Sequence, residues 1–598
     1  MTDFHDYRPS RRLYPTLAIS PDGSRIAYCD DRNGQFNLVV APIDGEATQL
    51  TDYTDRSVRQ VSWHPDGSIL FFAADREGDE FHQLFRIDAG SREITQLTDA
   101  PDVQHFLAGE ACSPDGRYLA FAANDDERTN QDVSLLDLGT GQVRRVLALQ
   151  SMVLAGTWSA DSTRLTAVDV HSNSDYRPHV VDVAGGESRE LMPDHTGIKN
   201  EPVGLLPDHS ALVVATDLDR DFVGLASVSL DDGTLSWLAT PDWDVEQAAL
   251  SADGSRLVWT VNVDGNSQLY ARELESGQDL TAPALPPGMV SQLSVSRDGR
   301  QVALLVSTAT RPTNLALVDL DGGDVTWLTD VRPATVDADS MTEPRLIRYA
   351  THDGRKVAAY LYRPAGDGPF PVVLSIHGGP EAQERPVYAY AGLYQYLLSR
   401  GIGVLAPNVR GSTGYGTSYQ RLIMRDWGGA ELGDFEQAAA YLRSLEWIDR
   451  DRIGVFGASF GGFAVLSCLS RLPDLWAVGV DIVGPSNLVT LAGSVPPTWR
   501  RMMTEWVGHA EDDKDFLVSR SPVTYADGIV APLLVIQGAN DPRVRQAESD
   551  QIVERLRSRG VDVRYDVYAD EGHGFTKADN EAKALTDSAD FLVKHLIR

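Results

Sequence analysis

The sequence predicts two domains of different class: a seven-bladed β-propeller followed by an α/β-hydrolase domain with a parallel-rich sheet covered by helices. Three observations predict this. A turn element recurs seven times in the first half, five times as Asp-Gly, with successive aspartates 44 to 49 residues apart. The second half alternates strand-like apolar runs with helix-like ones. Within it, Gly457-Ala-Ser459-Phe-Gly461 follows directly on the apolar run Arg452-Ile-Gly-Val-Phe456. A chain of 598 residues is also too long for one ordinary core, so two or more domains are expected.

The repeat is clearest in Ile19-Ser-Pro-Asp22-Gly-Ser-Arg-Ile-Ala-Tyr28, Trp63-His-Pro-Asp66-Gly and Cys112-Ser-Pro-Asp115-Gly. Weaker copies carry Asp161, Asp208, Asp253 and Asp298, and a second echo runs through Gln49–Asp52, Gln96–Asp99, Trp237–Thr240 and Trp327–Asp330. Asp-Gly suits a tight hairpin turn because glycine tolerates positive φ. Units of this length with about four short strands are propeller blades. A two-sheet sandwich or a solenoid would not demand such even spacing. The propeller is placed at 9–334. Residues 1–8 precede it and are candidates for packing on the second domain.

From 335 to 598 the period changes. Helices are expected over Tyr388–Arg400, Glu431–Leu445, Arg545–Arg559 and Asn580–Ile597. In the last, Ala582, Leu585, Ala589, Leu592 and Leu596 recur at three and four and mark one buried face. Strands alternating with helices give a mostly parallel sheet covered on both sides.

A serine between flanking glycines, in a strand-turn-helix context, has its hydroxyl raised above the sheet where the helix N-terminus favours developing negative charge. By itself this motif also fits a bystander serine in a glycine-rich turn. The rest of a hydrolytic set follows in the order such folds use. Ala531-Pro-Leu-Leu-Val-Ile-Gln537 reads as a buried strand ending at Asp541, and Val561–Val567 alternates as a strand before Glu571-Gly-His573-Gly574. A serine needs a histidine to take its proton, and the histidine needs a carboxylate to fix its tautomer. Ser459, Asp541 and His573 are therefore the expected catalytic triad. Taken singly, Asp541 would read as a turn residue and His573 as one of 13 histidines on a loop. Pro371–Ile376 reads as a strand followed by His377-Gly-Gly379-Pro380. The backbone N–H groups of Gly379 and Phe460 are the expected oxyanion donors. Val483, after the next strand, is a candidate pocket wall. Trp499, Met502, Met503 and Trp506 form an apolar group that could line the pocket or form the core face of a helix.

Bulk composition narrows the partners. The chain is 42% hydrophobic and 23% charged, with 86 acidic and 53 basic residues and a net charge of −33. That field repels nucleic acid and anionic membranes. No apolar run reaches the ~20 residues of a membrane span, and the polar N-terminus lacks a signal core. Three dispersed cysteines (Cys29, Cys112, Cys468) fit a reducing cytoplasm rather than a disulfide framework. No HExxH or Cys/His cluster points to a metal, and no organic cofactor is implied. Nothing decides whether copies of the chain assemble, so a homo-oligomer stays open.

The motifs His377-Gly-Gly-Pro380, Asn408-Val-Arg-Gly-Ser-Thr-Gly-Tyr-Gly416, Asp426-Trp-Gly428, Gly457–Gly462, Asn540-Asp-Pro-Arg-Val544 and Glu571–Gly574 together resemble the prolyl oligopeptidase family of serine peptidases. Within it the resemblance is to the acylaminoacyl-peptidase and dipeptidyl-aminopeptidase-like branch. It covers nearly the whole chain. It implies hydrolysis of short peptides or acyl-peptides, with the propeller screening out large substrates. It also implies that Arg543, two positions after the triad aspartate, binds a substrate carbonyl. A departure is His377, as in the acylaminoacyl branch: prolyl oligopeptidases proper, and the dipeptidyl peptidases that clamp a free amino terminus, place a tyrosine hydroxyl in the oxyanion hole. No Glu-Glu pair for clamping a free amino terminus is convincing. Asp79-Glu80 and Asp125-Asp126-Glu127 read better as solvated loop charge. The motifs fit an aminopeptidase, an acylaminoacyl peptidase and an oligopeptide endopeptidase alike. The rival readings are a hydrolase of non-peptide amides or esters, and a propeller binding module with an inactive hydrolase.

Overall fold

The computed structural model describes residues 3–597. Seven four-stranded antiparallel sheets follow one another over 13–49, 56–96, 105–147, 152–190, 200–239, 245–280 and 289–327, each with its strands in simple sequence order. These are the seven blades. The repeated aspartates lie in the turns joining the first two strands of each blade, followed by Gly in five blades and by Ser162 (φ 64°) and His209 (φ 60°) in the fourth and fifth. In blade 1, Asp22 accepts from Ser20 Oγ at 2.5 Å and from Ser24 N at 3.1 Å, and Gly23 takes φ 72°. Ser113–Asp115, Ser251–Asp253 and Ser296–Asp298 repeat the hydroxyl–carboxylate contact at 2.6, 2.7 and 2.7 Å. The ring closes without a shared strand. Blades 1 and 7 meet through side chains, with Leu17, Ile26, Leu305 and Leu315 in one buried cluster and Ile19 N donating to Ser294 Oγ.

The second domain is an eight-stranded sheet. Its strands are β1 (Arg345–Ala350), β2 (Lys356–Tyr362), β3 (Phe370–Ile376), β4 (Gly403–Asn408), β5 (Ile448–Ala458), β6 (Val478–Ile482), β7 (Leu533–Gly538) and β8 (Val563–Tyr568). The order is β1-β2-β4-β3-β5-β6-β7-β8, antiparallel at the β1, β2 edge and parallel from β4 to β8. Side chains alternate between its faces. Leu374 and Val455 lie in a core shared with Phe435 and Leu469, while Val373 and Phe456 lie in one shared with Leu397 and Leu592. The main helices are α1 (Leu393–Ser399), α2 (Ala430–Ser444), α3 (Phe460–Arg471), α4 (Gln546–Ser558) and α5 (Ala578–Leu596).

Three of the four expected helices begin and end within two residues of expectation, the scatter natural to helix ends. The helix expected from Tyr388 instead starts at Leu393. Tyr390 and Ala391 take φ 46° and 51°, and Gly392 takes φ 99°. A Cβ on Gly392 would lie 2.5 Å from the Tyr7 carbonyl oxygen, so this turn is shaped by the N-terminal segment lying against it. That segment packs Phe4 and Tyr7 edge-on to Tyr396. The Tyr388 hydroxyl donates to Tyr7 O at 2.6 Å, and Arg8 and Arg12 pair with Glu581 at 2.7 and 2.9 Å.

The propeller sits over the strand ends that carry the site. Arg385, nearly buried, pairs with Glu246 and donates to Gly265 O at 2.8 Å and Ser267 Oγ at 2.9 Å. Asn173 donates to Glu381 at 2.7 Å, Asn262 to Gln383 at 2.6 Å and Thr417 to Asp217 at 2.5 Å. Polar cross-links dominate this interface, and among the described residues no helix is long and apolar enough to cross a membrane.

Candidate active site

Ser459 is the single residue between β5 and α3, and α3 begins at Phe460. Its φ of 58° and ψ of −121° are unfavourable for a residue with a side chain. The flanking glycines make the turn possible. A Cβ on Gly457 would meet Gly461 O at 2.4 Å, and one on Gly461 would meet Ile376 O at 2.1 Å. The helix can thus press against the strand ends, with Ser459 N tied to Ile482 O at 2.8 Å.

The three residues expected to work together are hydrogen-bonded in line. His573 Nε2 is 3.0 Å from Ser459 Oγ, and His573 Nδ1 is 2.7 Å from Asp541 Oδ2. With Nδ1–H donated to the carboxylate, Nε2 is left as the acceptor for the serine proton. The other carboxylate oxygen of Asp541 accepts from Arg543 N at 2.8 Å and Val544 N at 2.9 Å, which fixes its orientation. Glu571 holds the histidine loop. Its buried carboxylate accepts from Thr576 N (2.6 Å), Thr576 Oγ1 (2.8 Å), Lys577 N (3.0 Å) and Asn580 Nδ2 (2.8 Å). The sequence displays Glu571 within a motif but not this task, because its partners lie five to nine residues downstream.

Among the described residues, neither Gly379 N–H nor Phe460 N–H donates to a protein acceptor. Phe460 is the first residue of its helix, so it has no acceptor there. Burial lowers the pKa of His377. It shapes the glycine turn through Nδ1 to Gly378 O at 2.7 Å and Nε2 to Ser412 Oγ at 2.9 Å. Of the two glycines, Gly378 lies closer to the serine: a Cβ there would sit 3.4 Å from Ser459 Cβ.

The candidate pocket residues divide between two sides of Ser459. Trp499 lies under the Arg543 guanidinium, 5.2 Å from carbon to ring centre. Trp506 is buried in the core behind α3, edge-on to Trp427, which in turn packs on Phe460. Met503 is buried in the same cluster. The core-face alternative therefore describes Trp506 and Met503, while Trp499 keeps a partly exposed face beside Arg543. Val483 lies elsewhere. With Tyr390, Ile482, Phe575 and Leu585 it walls an apolar cavity of about 280 Å³ that opens beside Ser459 and His573.

Glu80 requires a correction. Read from sequence as solvated loop charge, its carboxylate lies 2.7 Å from Arg543 Nε, with its side chain only 19% exposed. The blade 2 hairpin at 77–82 reaches down to the site. A Cβ on Gly572, next to His573, would lie 2.0 Å from Gly78 O. Sequence spacing could not find this contact, because it joins residues more than 460 positions apart. The Glu80–Arg543 contact is a charge approach rather than an aligned hydrogen bond, and no described side chain donates to the Glu80 carboxylate.

Comparison with known proteins agrees with this architecture. Residues 15–183 match the prolyl oligopeptidase N-terminal β-propeller domain, and residues 389–597 match the prolyl oligopeptidase family. Dipeptidyl aminopeptidase BIII of Pseudoxanthomonas mexicana is 31% identical over 611 aligned residues, covering 97% of this chain and 86% of that protein. A puromycin-hydrolyzing peptidase of Mycobacterium tuberculosis superposes with a TM-score of 0.85 at 22% identity, over 100% of this chain and 96% of that one. An acylaminoacyl peptidase of Pyrococcus horikoshii superposes with a TM-score of 0.73 at 18% identity, over 98% and 96% of the two chains. Full-length likeness to the aminopeptidase, over both the propeller and the sheet that carries Ser459, places this chain in the prolyl oligopeptidase family of serine peptidases.

Proposed function

We infer that the protein is an aminopeptidase of short peptides, with Ser459 as nucleophile, His573 as general base and acid, and Asp541 as its orienter. The observation that carries this reading is the unbroken pair of hydrogen bonds from Ser459 Oγ through the imidazole to Asp541. Ser459 Oγ attacks the scissile carbonyl while its proton passes to His573 Nε2. The oxygen that becomes negative is met by the unpaired N–H groups of Phe460 and Gly379, at the positive end of α3. Collapse breaks the C–N bond, His573 returns the proton to the leaving nitrogen, and water then repeats the sequence on the acyl-enzyme.

Preference for a free amino end is supported by Glu80. A carboxylate with unused acceptor capacity, beside the Arg543 guanidinium and roofed by the propeller, suits an α-ammonium. Arg543 is then positioned to donate to a backbone carbonyl of the same short segment. The propeller loop at 77–82 limits how much chain can precede the scissile bond. Location in the cytoplasm, expected from cysteine usage, is part of this reading.

Matched peptides with free and acetylated amino ends, with products identified by mass, test it. Release of one or two residues from the free form alone is the expected result. Cleavage of only the acetylated form would replace it with an acylaminoacyl peptidase, and internal cleavage of both with an endopeptidase. A clear preference for non-peptide amides or esters would remove the peptide reading altogether.

A further inference from the structure

The reaction leaves one structural feature without a task. Beside Ser459 and His573 lies the apolar cavity of about 280 Å³. Its walls are Tyr390, Ile482, Val483, Phe575 and Leu585, with the small Ala458 at its mouth. Arg543, Trp499, Val544 and Phe460 take no part in it. The cavity thus shares no wall with the residues proposed to hold the amino-terminal part of the substrate.

Proton traffic says which part of the substrate faces this side. Acylation forms the Oγ–C bond, breaks C–N, and moves the serine proton by way of His573 Nε2 to the departing nitrogen. That nitrogen must lie within hydrogen-bond reach of Nε2. The cavity is bounded by His573 itself and by the two residues after it, Gly574 and Phe575. The α-carbon attached to the departing nitrogen is therefore brought to the cavity mouth.

We propose that this cavity receives the side chain of the residue immediately after the scissile bond, selecting medium-sized apolar side chains there. The proposal rests on the triad reading above. The cavity volume of about 280 Å³ gives room for one whole side chain. The far wall is held firm. Glu581 borders the cavity and is fixed by Arg8 and Arg12 at 2.7 and 2.9 Å, so the N-terminal segment braces it. Phe575 is in turn braced edge-on by Tyr568, with ring centres 5.2 Å apart.

The test is a peptide series identical up to the scissile bond and carrying Gly, Ala, Leu or Phe after it. The methyl ester of the same acyl part serves as a substrate whose leaving group cannot fill the cavity. In the wild-type enzyme, kcat/KM for Leu should exceed that for Gly by at least ~10-fold, since each well-packed methylene discriminates by ~10-fold or more. Leu585→Phe, which fills the cavity, should reduce the Leu-to-Gly ratio at least ~10-fold. Phe575→Ala, which enlarges it, should move the preference from Leu towards Phe, and this variant decides if Leu585→Phe fails to fold. A flat wild-type series, or ratios unmoved in both variants, overturns the proposal while methyl ester turnover leaves the triad reading standing. An inert methyl ester together with no fluorophosphonate adduct on Ser459 overturns both.

Discussion

Glu80 of the propeller and Arg543 of the hydrolase stand 2.7 Å apart, so the two domains meet two residues from Asp541. The proposed function gives this blade 2 carboxylate the task of receiving the substrate's amino end. Glu80→Gln keeps the shape and removes the charge. It should lower kcat/KM for free-amino peptides ~10-fold or more, and it should leave acetylated peptides less affected. Equal losses on both, measured on the matched pair, would assign Glu80 to domain docking alone.

Ser459→Ala should leave the fold intact and cut turnover below about a thousandth of wild type, the scale on which triad members act. Circular dichroism and a fluorophosphonate label, the second lost in the variant, accompany the rate measurement. Turnover well above that level would transfer the nucleophile role elsewhere.

Arg385→Ala should loosen the domains. Removing the guanidinium leaves Glu246 without its counter-ion in a largely buried contact, with Ser267 Oγ still donating to it at 3.1 Å, and costs ~3 kcal/mol. A lower urea midpoint, with faster proteolysis at the interdomain loops, is the expected outcome. An unchanged midpoint would mean that water solvates Glu246 in the variant.

Asp481, at the end of β6, is fully buried, and burial pushes its carboxyl up to about 8. One oxygen accepts from Gly484 N at 2.9 Å and the other has no protein partner. The folded state therefore keeps a proton that the unfolded chain gives up at ~3.9. The proton stabilises the fold at low pH, and its contribution is lost as pH rises towards and through 8. Asp481→Asn should accordingly lose less Tm between pH 6 and 9 than wild type. Parallel pH curves for the two proteins would show that Asp481 is already charged at neutral pH.

Local chemistry made much of this protein legible. The blade turns are local, an aspartate followed by Gly in five blades and by Ser162 or His209 in the other two, so seven of them announce seven blades. Ser459, Asp541 and His573 each sit at a strand end, and strand ends can be read from short apolar runs. The α1 boundary was not legible, because Tyr390 and Ala391 adopt left-handed backbone in a turn packed against the distant Tyr7 segment. The split of Val483 from Trp499 and Trp506 was hidden for a similar reason: which side of a strand end faces which cavity depends on the helices laid over the sheet.

The sequence by itself determined the two domain classes, the repeat number and the order of the reactive residues, since each follows from periodicity or from a motif a few residues long. Only the tertiary structure decided that Glu80 faces Arg543, that Gly78 presses on Gly572 and that Val483 walls a separate cavity. These contacts join residues far apart in the chain. Their energies come from charge approach and close packing between surfaces, neither of which leaves a spacing in the sequence to be read.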